Sequence, residues 1–159
     1  MASQGYMTIT GTEQGLISAG CSTQESIGNK YQSEHTDEII VLSCDFSMIN
    51  VGNNTRPTYH PIVINKYIDK SSPLLATALR SREEINCTID FYRVSSFGGQ
   101  EKFYTLTLKG GLIAELNGNL PHVLLQAEAE LQEQLAIRYR EISWVHHLAK
   151  TSGFGFWGE

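Results

Sequence analysis

Apolar and polar residues alternate with a period of two over at least five stretches of this chain, and one stretch alone carries a helical spacing. The longest alternation runs from Gln100 to Leu116. Tyr104, Leu106, Leu108, Leu112, Ala114 and Leu116 share one face, and Lys102, Thr105, Thr107, Lys109 and Glu115 share the other. Successive side chains of a strand point to opposite faces, so the pattern predicts a half-buried strand. Further strands are predicted at Tyr6 to Thr10, Ile39 to Ile49, Pro61 to Asp69, Ile85 to Val94 and Gln134 to His147. Ile40, Leu42, Cys44, Phe46 and Met48 are expected on one face of the second. In the third, Lys66 interrupts the series Ile62, Ile64, Ile68. The last changes phase between Tyr139 and Ile142, which predicts a bulge, with Trp144 as a core anchor.

The helix is predicted over about 72–84. Ser72-Pro73 places a capping oxygen and a first-turn proline where both are favoured, and Leu74, Leu75, Ala78 and Leu79 form its apolar stripe. Gly52-Asn53-Asn54, Gly98-Gly99-Gln100 and Asn117-Gly118 read as turns, and Gly110-Gly111 as a bulge or barrel corner. Between Leu120 and Gln134 the reading divides: Leu120 to Gln126 suits a strand, while Pro121 to Gln134 suits a helix by propensity. Gly11 to Thr36 is dominated by Gly, Ser, Thr, Gln and Asn without a period. Its piece from Cys21 to His35 reads as a protruding loop, with disorder as the alternative. Residues 148–159 read as a flexible tail on a single domain.

Composition narrows the class. A chain of 159 residues is one ordinary domain, burying roughly 68–70% of its unfolded surface without needing a metal or disulfide. A net charge of -5 with dispersed charges argues against a nucleic-acid binder. Cys21, Cys44 and Cys87 are odd in number and far apart, which argues against a disulfide scaffold and for a reducing compartment of synthesis. Met1 to Thr10 lacks the basic start and apolar run of a secretory signal, and no stretch reaches the length of a membrane span.

Apparent chemical motifs fail on context. Gly153-Phe154-Gly155-Phe156-Trp157-Gly158 has the glycine spacing of a dinucleotide site but no helix after it to receive a pyrophosphate. Neither a phosphate loop nor a nucleophile elbow is present. His35, His60, His122, His146 and His147 form no helical pair, and His146 and His147 would point to opposite faces of a strand. Asp37-Glu38 and Glu83-Glu84 read as solvated charges near element ends, Glu128, Glu130 and Glu133 as the polar side of a loop and not a paired acid and base, and the sequons at Asn53 and Asn86 do not set a compartment. Cys44 and Cys87 sit on apolar faces as small hydrophobes. No catalytic, cofactor-binding or metal-binding residue is expected.

Five ordered pieces carry a family resemblance: 11–21 (GTEQGLISAGC), 60–64 (HPIVI), 69–75 (DKSSPLL), 87–93 (CTIDFYR) and 138–144 (RYREISW). Together they resemble the haemolysin-coregulated proteins, the tube subunits of bacterial type VI secretion systems. The resemblance implies a small barrel of two packed antiparallel sheets with one helix against it. It also implies hexameric rings that stack into a tube inside a contractile sheath, capped by a spike protein, with effector proteins carried in the lumen. Such a protein is assembled in the bacterial cytoplasm and exported without a cleaved signal. The loop from Cys21 to His35 would bridge successive rings, with Glu25, Lys30, Gln32 and His35 as candidate stacking contacts. Because the sequence stops soon after its last predicted strand, a bare tube subunit without a fused toxic domain is expected. The competing reading is a monomeric barrel that binds a small molecule or peptide.

Overall fold

A computed structural model describes residues 3–126 and 130–158. The chain runs β1 (Gln4–Gly11), β2 (Gly15–Leu16), α1 (Gln24–Ile27), a 3-10 turn (Gly28–Lys30), β3 (Ile39–Asp45), β4 (Met48–Ile49), β5 (Thr58–Tyr59) and β6 (Ile62–Tyr67). It continues with α2 (Ser72–Ser81), β7 (Ile85–Val94), β8 (Gln100–Asn119), β9 (Gln132–Arg138), β10 (Glu141–His146) and β11 (Thr151–Phe156). The main sheet has the order β11-β10-β8-β7-β1-β3-β6-β9, and β9 also pairs with β8. That last pairing closes β8, β7, β1, β3, β6 and β9 into a ring, leaving β10 and β11 as a flap and β4–β5 as a separate two-stranded sheet. The fold is mainly β, as the alternation predicts.

The length of β8 makes closure possible. Its first half lies between β7 and β10, and Leu112 to Asn119 pairs with β9. The strand turns the corner at Gly110 and Gly111. Gly110 has φ 61°, a region costly for residues with a Cβ, and a Cβ there would meet the Arg140 guanidinium. A Cβ on Gly111 would lie 2.9 Å from the Ile85 carbonyl oxygen. The corner also shifts the phase. Leu106 and Leu108 point inward before it, and Gly111 and Ile113 after it. Leu112 is therefore half-buried and Ala114 exposed, against the single face read from the sequence.

The barrel interior is filled by Met7, Ile9, Ile39, Ile62, Ile64, Ile85, Ile89, Leu106, Leu108, Leu135 and Ile137, all fully buried. Helix α2 seals it with Leu75 and Ala78, while Leu74 and Leu79 are partly buried. It ends at Ser81, short of 84, because Arg82 takes a left-handed conformation and its N–H returns to the Leu79 carbonyl. Ser71 rather than Ser72 occupies the N-cap position, and the Ser72 hydroxyl instead accepts the Asp69 N–H at 3.0 Å.

Several expectations need correction. The stretch 39–49 is not one strand. A bulge between Val41 and Ser43 turns Ile39, Val41 and Cys44 toward the core and leaves Leu42, Phe46 and Met48 exposed. The stretch 134–147 breaks at Tyr139-Arg140 into β9 and β10, which lie end to end along β8 opposite its glycine corner. Its phase shift is that corner, and Trp144 is only partly buried. Asn117-Gly118 lies inside β8, and residues 120–126 form neither strand nor helix. Residues 127–129, including Glu128, lie outside the described residues. Thr151–Phe156, expected within a tail, pairs with β10 along its whole length.

Candidate functional site

The polar segment between β1 and β3 is anchored at its root. Ile17, Ser18, Cys21 and Ser22 are buried, and the Ser18 hydroxyl accepts the Ile9 N–H at 3.2 Å. The Ser22 N–H reaches the Thr36 carbonyl, the Gln32 N–H reaches the Ser22 carbonyl, and the Ser22 hydroxyl donates to the Glu38 carbonyl. These bonds bring the loop ends together, so the residues between project as a compact Ω-shaped loop tipped by α1 and the 3-10 turn. The segment from Cys21 to His35 thus protrudes, but from a buried stem beginning before Cys21.

The four candidate contact residues occupy different situations. Glu25 is exposed in the first turn of α1. Lys30 is engaged within its own chain, with Nζ 2.5 Å from Glu130 Oε2 and 5.2 Å above the Tyr67 ring. Gln32 donates to the Lys30 carbonyl at 3.2 Å. His35 is a buttress, stacked on Tyr6 at 3.8 Å, edge-on to Tyr92 at 5.2 Å, and with Nδ1 3.2 Å from Glu38 Oε1. Burial and then the Glu38 carboxylate push the Tyr6 and Tyr92 phenols above their ordinary range.

The family model for the type VI secretion system effector Hcp matches residues 6–146. The chain belongs to the Hcp family. The major exported protein of Pseudomonas aeruginosa is 38% identical over 166 residues, spanning 99% of this chain and 96% of that protein. Among solved structures, the secreted protein Hcp3 of Pseudomonas aeruginosa aligns with TM-score 0.87 at 36% identity, covering 98% of this chain and 99% of that one. An Hcp crystal structure aligns with TM-score 0.93 at 30% identity over 99% of both chains.

The chemistry of this Hcp chain agrees with a family known by its export rather than by a reaction. Burial pushes the Cys87 thiol up to about 12 and those of Cys21 and Cys44 up to about 11, so none supplies a thiolate nucleophile at neutral pH. Thr105 lies between Asp90 Oδ1 at 2.8 Å and His147 Nε2 at 2.7 Å. A carboxylate only accepts, so the hydroxyl donates to Asp90 and the imidazole donates to the hydroxyl. That is the reverse of the arrangement in which histidine takes a proton from a nucleophile. Among the described residues, no three His, Cys, Asp or Glu side chains are grouped to hold a metal. Nor is any helix of the described residues long and apolar enough to cross a membrane.

Two charged centres escaped the sequence reading. Lys66 continues the inward series of Ile62 and Ile64 and is fully buried. Its Nζ lies 3.0 Å from Asp69 Oδ1, 2.5 Å from Glu133 Oε1 and 2.9 Å from the Tyr67 carbonyl oxygen. The signal was present: Lys66 is in phase with the isoleucines, and Glu133 is in phase with Leu135 and Ile137. Glu83, read as solvated, is buried. It accepts the Glu13 and Gln14 N–H groups at 2.9 and 2.8 Å and the Gln14 side-chain amide at 2.8 Å. Burial alone would raise its pKa, but those hydrogen bonds outweigh burial and hold the carboxyl below its ordinary range.

Proposed function

We propose that the chain is a type VI secretion tube subunit. It forms hexameric rings that stack into a tube inside a contractile sheath behind a spike protein. The tube carries effector proteins in its lumen and is itself exported. Membership of the Hcp family over residues 6–146 is the observation that carries this reading. Two features of the surface support it. Phe46, Met48, Ile49 and Val51 are exposed around β4, and Val123, Leu124 and Leu125 are exposed on the β8–β9 connection. A ring interface joins two different patches of identical subunits, and separate apolar patches on one chain suit that requirement. The projecting loop with Glu25 at its tip offers a polar contact to the next ring, weak per subunit and strengthened by repetition around the ring.

The monomeric ligand-binding barrel loses support because the barrel interior is occupied by side chains rather than open. Negative-stain electron microscopy of the purified protein tests the ring reading. Six-fold rings in end view, with stacks in side view, are expected. Uniform single particles of the size of one chain would refute it.

A further inference from the structure

Strand pairing lays out the outward side chains of β3, β6, β9 and the second half of β8 as three rows. Asp45, Val63, Ala136 and Glu115 form one row across the four strands. Ser43, Asn65, Gln134 and Asn117 form the next. Tyr67, Gln132 and Asn119 form the third, beside the Lys30 end of the projecting loop. The middle of this face is thus a lattice of neutral carboxamides, with rows about 7 Å apart along strands about 4.8 Å apart. A shallow cleft of about 230 Å³ opens among Asn65, Asn117, Asn119, Gln132, Glu133 and Gln134, the Glu133 carboxylate being paired with Lys66. Within the face, Asn65 donates to Ser43 at 2.6 Å and Asn117 donates to Glu115 at 2.9 Å. Among the described residues, neither Asp45 nor Glu115 has a cationic partner.

This composition differs from that of β7 and the first half of β8. There Arg93 pairs with Glu101 at 3.0 Å, Lys102 with Asp90 at 3.5 Å, and Phe103 lies under Arg93. The carboxamide row itself carries no large apolar group; Leu42, Val63 and Tyr67 only border it, whereas the β4 and β8–β9 patches expose several together, as the core of a subunit interface requires. Each carboxamide offers two donors and an acceptor, matching a peptide group in both senses. The row ending in Asp45 and Glu115 adds negative charge at one margin.

We infer that this face is the inner wall of the ring and the surface that meets cargo. Its occupant is a polypeptide segment that is polar and basic: its backbone and neutral side chains meet the carboxamides, and its Lys or Arg side chains meet Asp45 and Glu115. The inference rests on the ring reading above and deepens it by naming the cargo chemistry. A wall whose contacts are mostly neutral hydrogen bonds, with two carboxylates at one margin, holds cargo by many weak contacts and releases it readily.

The test uses the full-length protein, with molar mass checked first, and two fluorescein-labelled peptides of equal length built from Gly, Ser and Gln with interspersed Lys in one and Glu in the other. Fluorescence anisotropy is expected to give the Lys peptide a Kd lower by about tenfold or more. Asp45→Asn with Glu115→Gln should remove that preference. Asn65→Ala, Asn117→Ala and Gln134→Ala together should weaken both peptides while ring mass and melting temperature stay unchanged. Binding unaltered in both variants would overturn the inference. So would loss of the ring in the amide variant, because the face would then be a contact between copies. If the triple variant fails to fold, Gln134→Ala alone carries the same comparison. A wild-type protein that is not a ring refutes the ring reading separately, and with it the placement on an inner wall.

Discussion

Two lysine–glutamate pairs of equal length stand in opposite surroundings. Lys66 and Glu133 meet at 2.5 Å with side chains 0% and 5% exposed, whereas Lys30 and Glu130 meet at 2.5 Å with side chains 33% and 48% exposed. The first joins β6, β9 and the start of α2 inside the barrel, where Asp69, Ser72 and the Tyr67 carbonyl complete the ammonium's shell. The second joins the projecting loop to the β8–β9 connection in contact with solvent. Geometry is the same, but solvent makes the interior pair a fixed structural joint and the outer pair an adjustable latch. On the proposed reading, a tube subunit would use both: a barrel that does not deform when rings are driven forward, and a loop that can change partners when rings stack.

Breaking the interior joint gives the largest expected effect. Lys66→Ala leaves Asp69 and Glu133 as uncompensated buried charge and should cost about 3–5 kcal/mol of stability, read from urea unfolding. A loss below about 1 kcal/mol would show that water reaches the site and that the contrast between the pairs is false. Glu83 sharpens the comparison from another side, being a buried carboxylate held by amide donors instead of a cation. Its folded-state carboxyl titrates below the ordinary value. Its stabilising contribution is therefore complete above the ordinary carboxylate range and is lost as pH falls through the folded value. Glu83→Gln should lower the thermal midpoint at pH 7, and the difference from wild type should shrink in acid. A constant difference across that range would contradict the account.

The outer latch should respond far less. Glu130→Ala is expected to cost about 0–1 kcal/mol, with the difference from wild type disappearing in high salt. Unfolding midpoints in low and high salt measure it, and an effect near that of Lys66→Ala would erase the comparison. The smallest effect per subunit belongs to Glu25→Lys at the loop tip. Ring mass should be unchanged while stacks seen by electron microscopy become shorter, and unaltered stacks would remove Glu25 from the proposed contact.

Alternation made most of the barrel legible. Ile85 to Val94 was predicted with both ends as observed, and Tyr6 to Thr10 lies within Gln4–Gly11. Period-two reasoning failed where the barrel bends. At Gly110-Gly111, Val41–Ser43 and Tyr139-Arg140 the chain changes phase to turn a corner, and local sequence does not say which residue is spared. It failed again for Lys66 and Glu83, because composition treats charge as a mark of the surface while pairing across distant strands can bury it. Thr151–Phe156 was missed for a different reason. Gly153 and Gly155 lower strand propensity, yet Gly153 packs against Trp144, and a Cβ on Gly155 would strike the Tyr59 hydroxyl. Among the candidate contact residues, loop membership was legible, but the division between exposed Glu25, engaged Lys30 and buttressing His35 was not. That division depends on Glu130, Tyr6 and Tyr92, which lie far away in sequence.

Light scattering coupled to size-exclusion chromatography over a dilution series decides whether this chain is a ring subunit. A mass close to six times the 17.7 kDa chain, persisting on dilution, is the expected result. A mass of one chain at every concentration would contradict the account and leave the exposed apolar patches around β4 and the β8–β9 connection without a partner of their own kind.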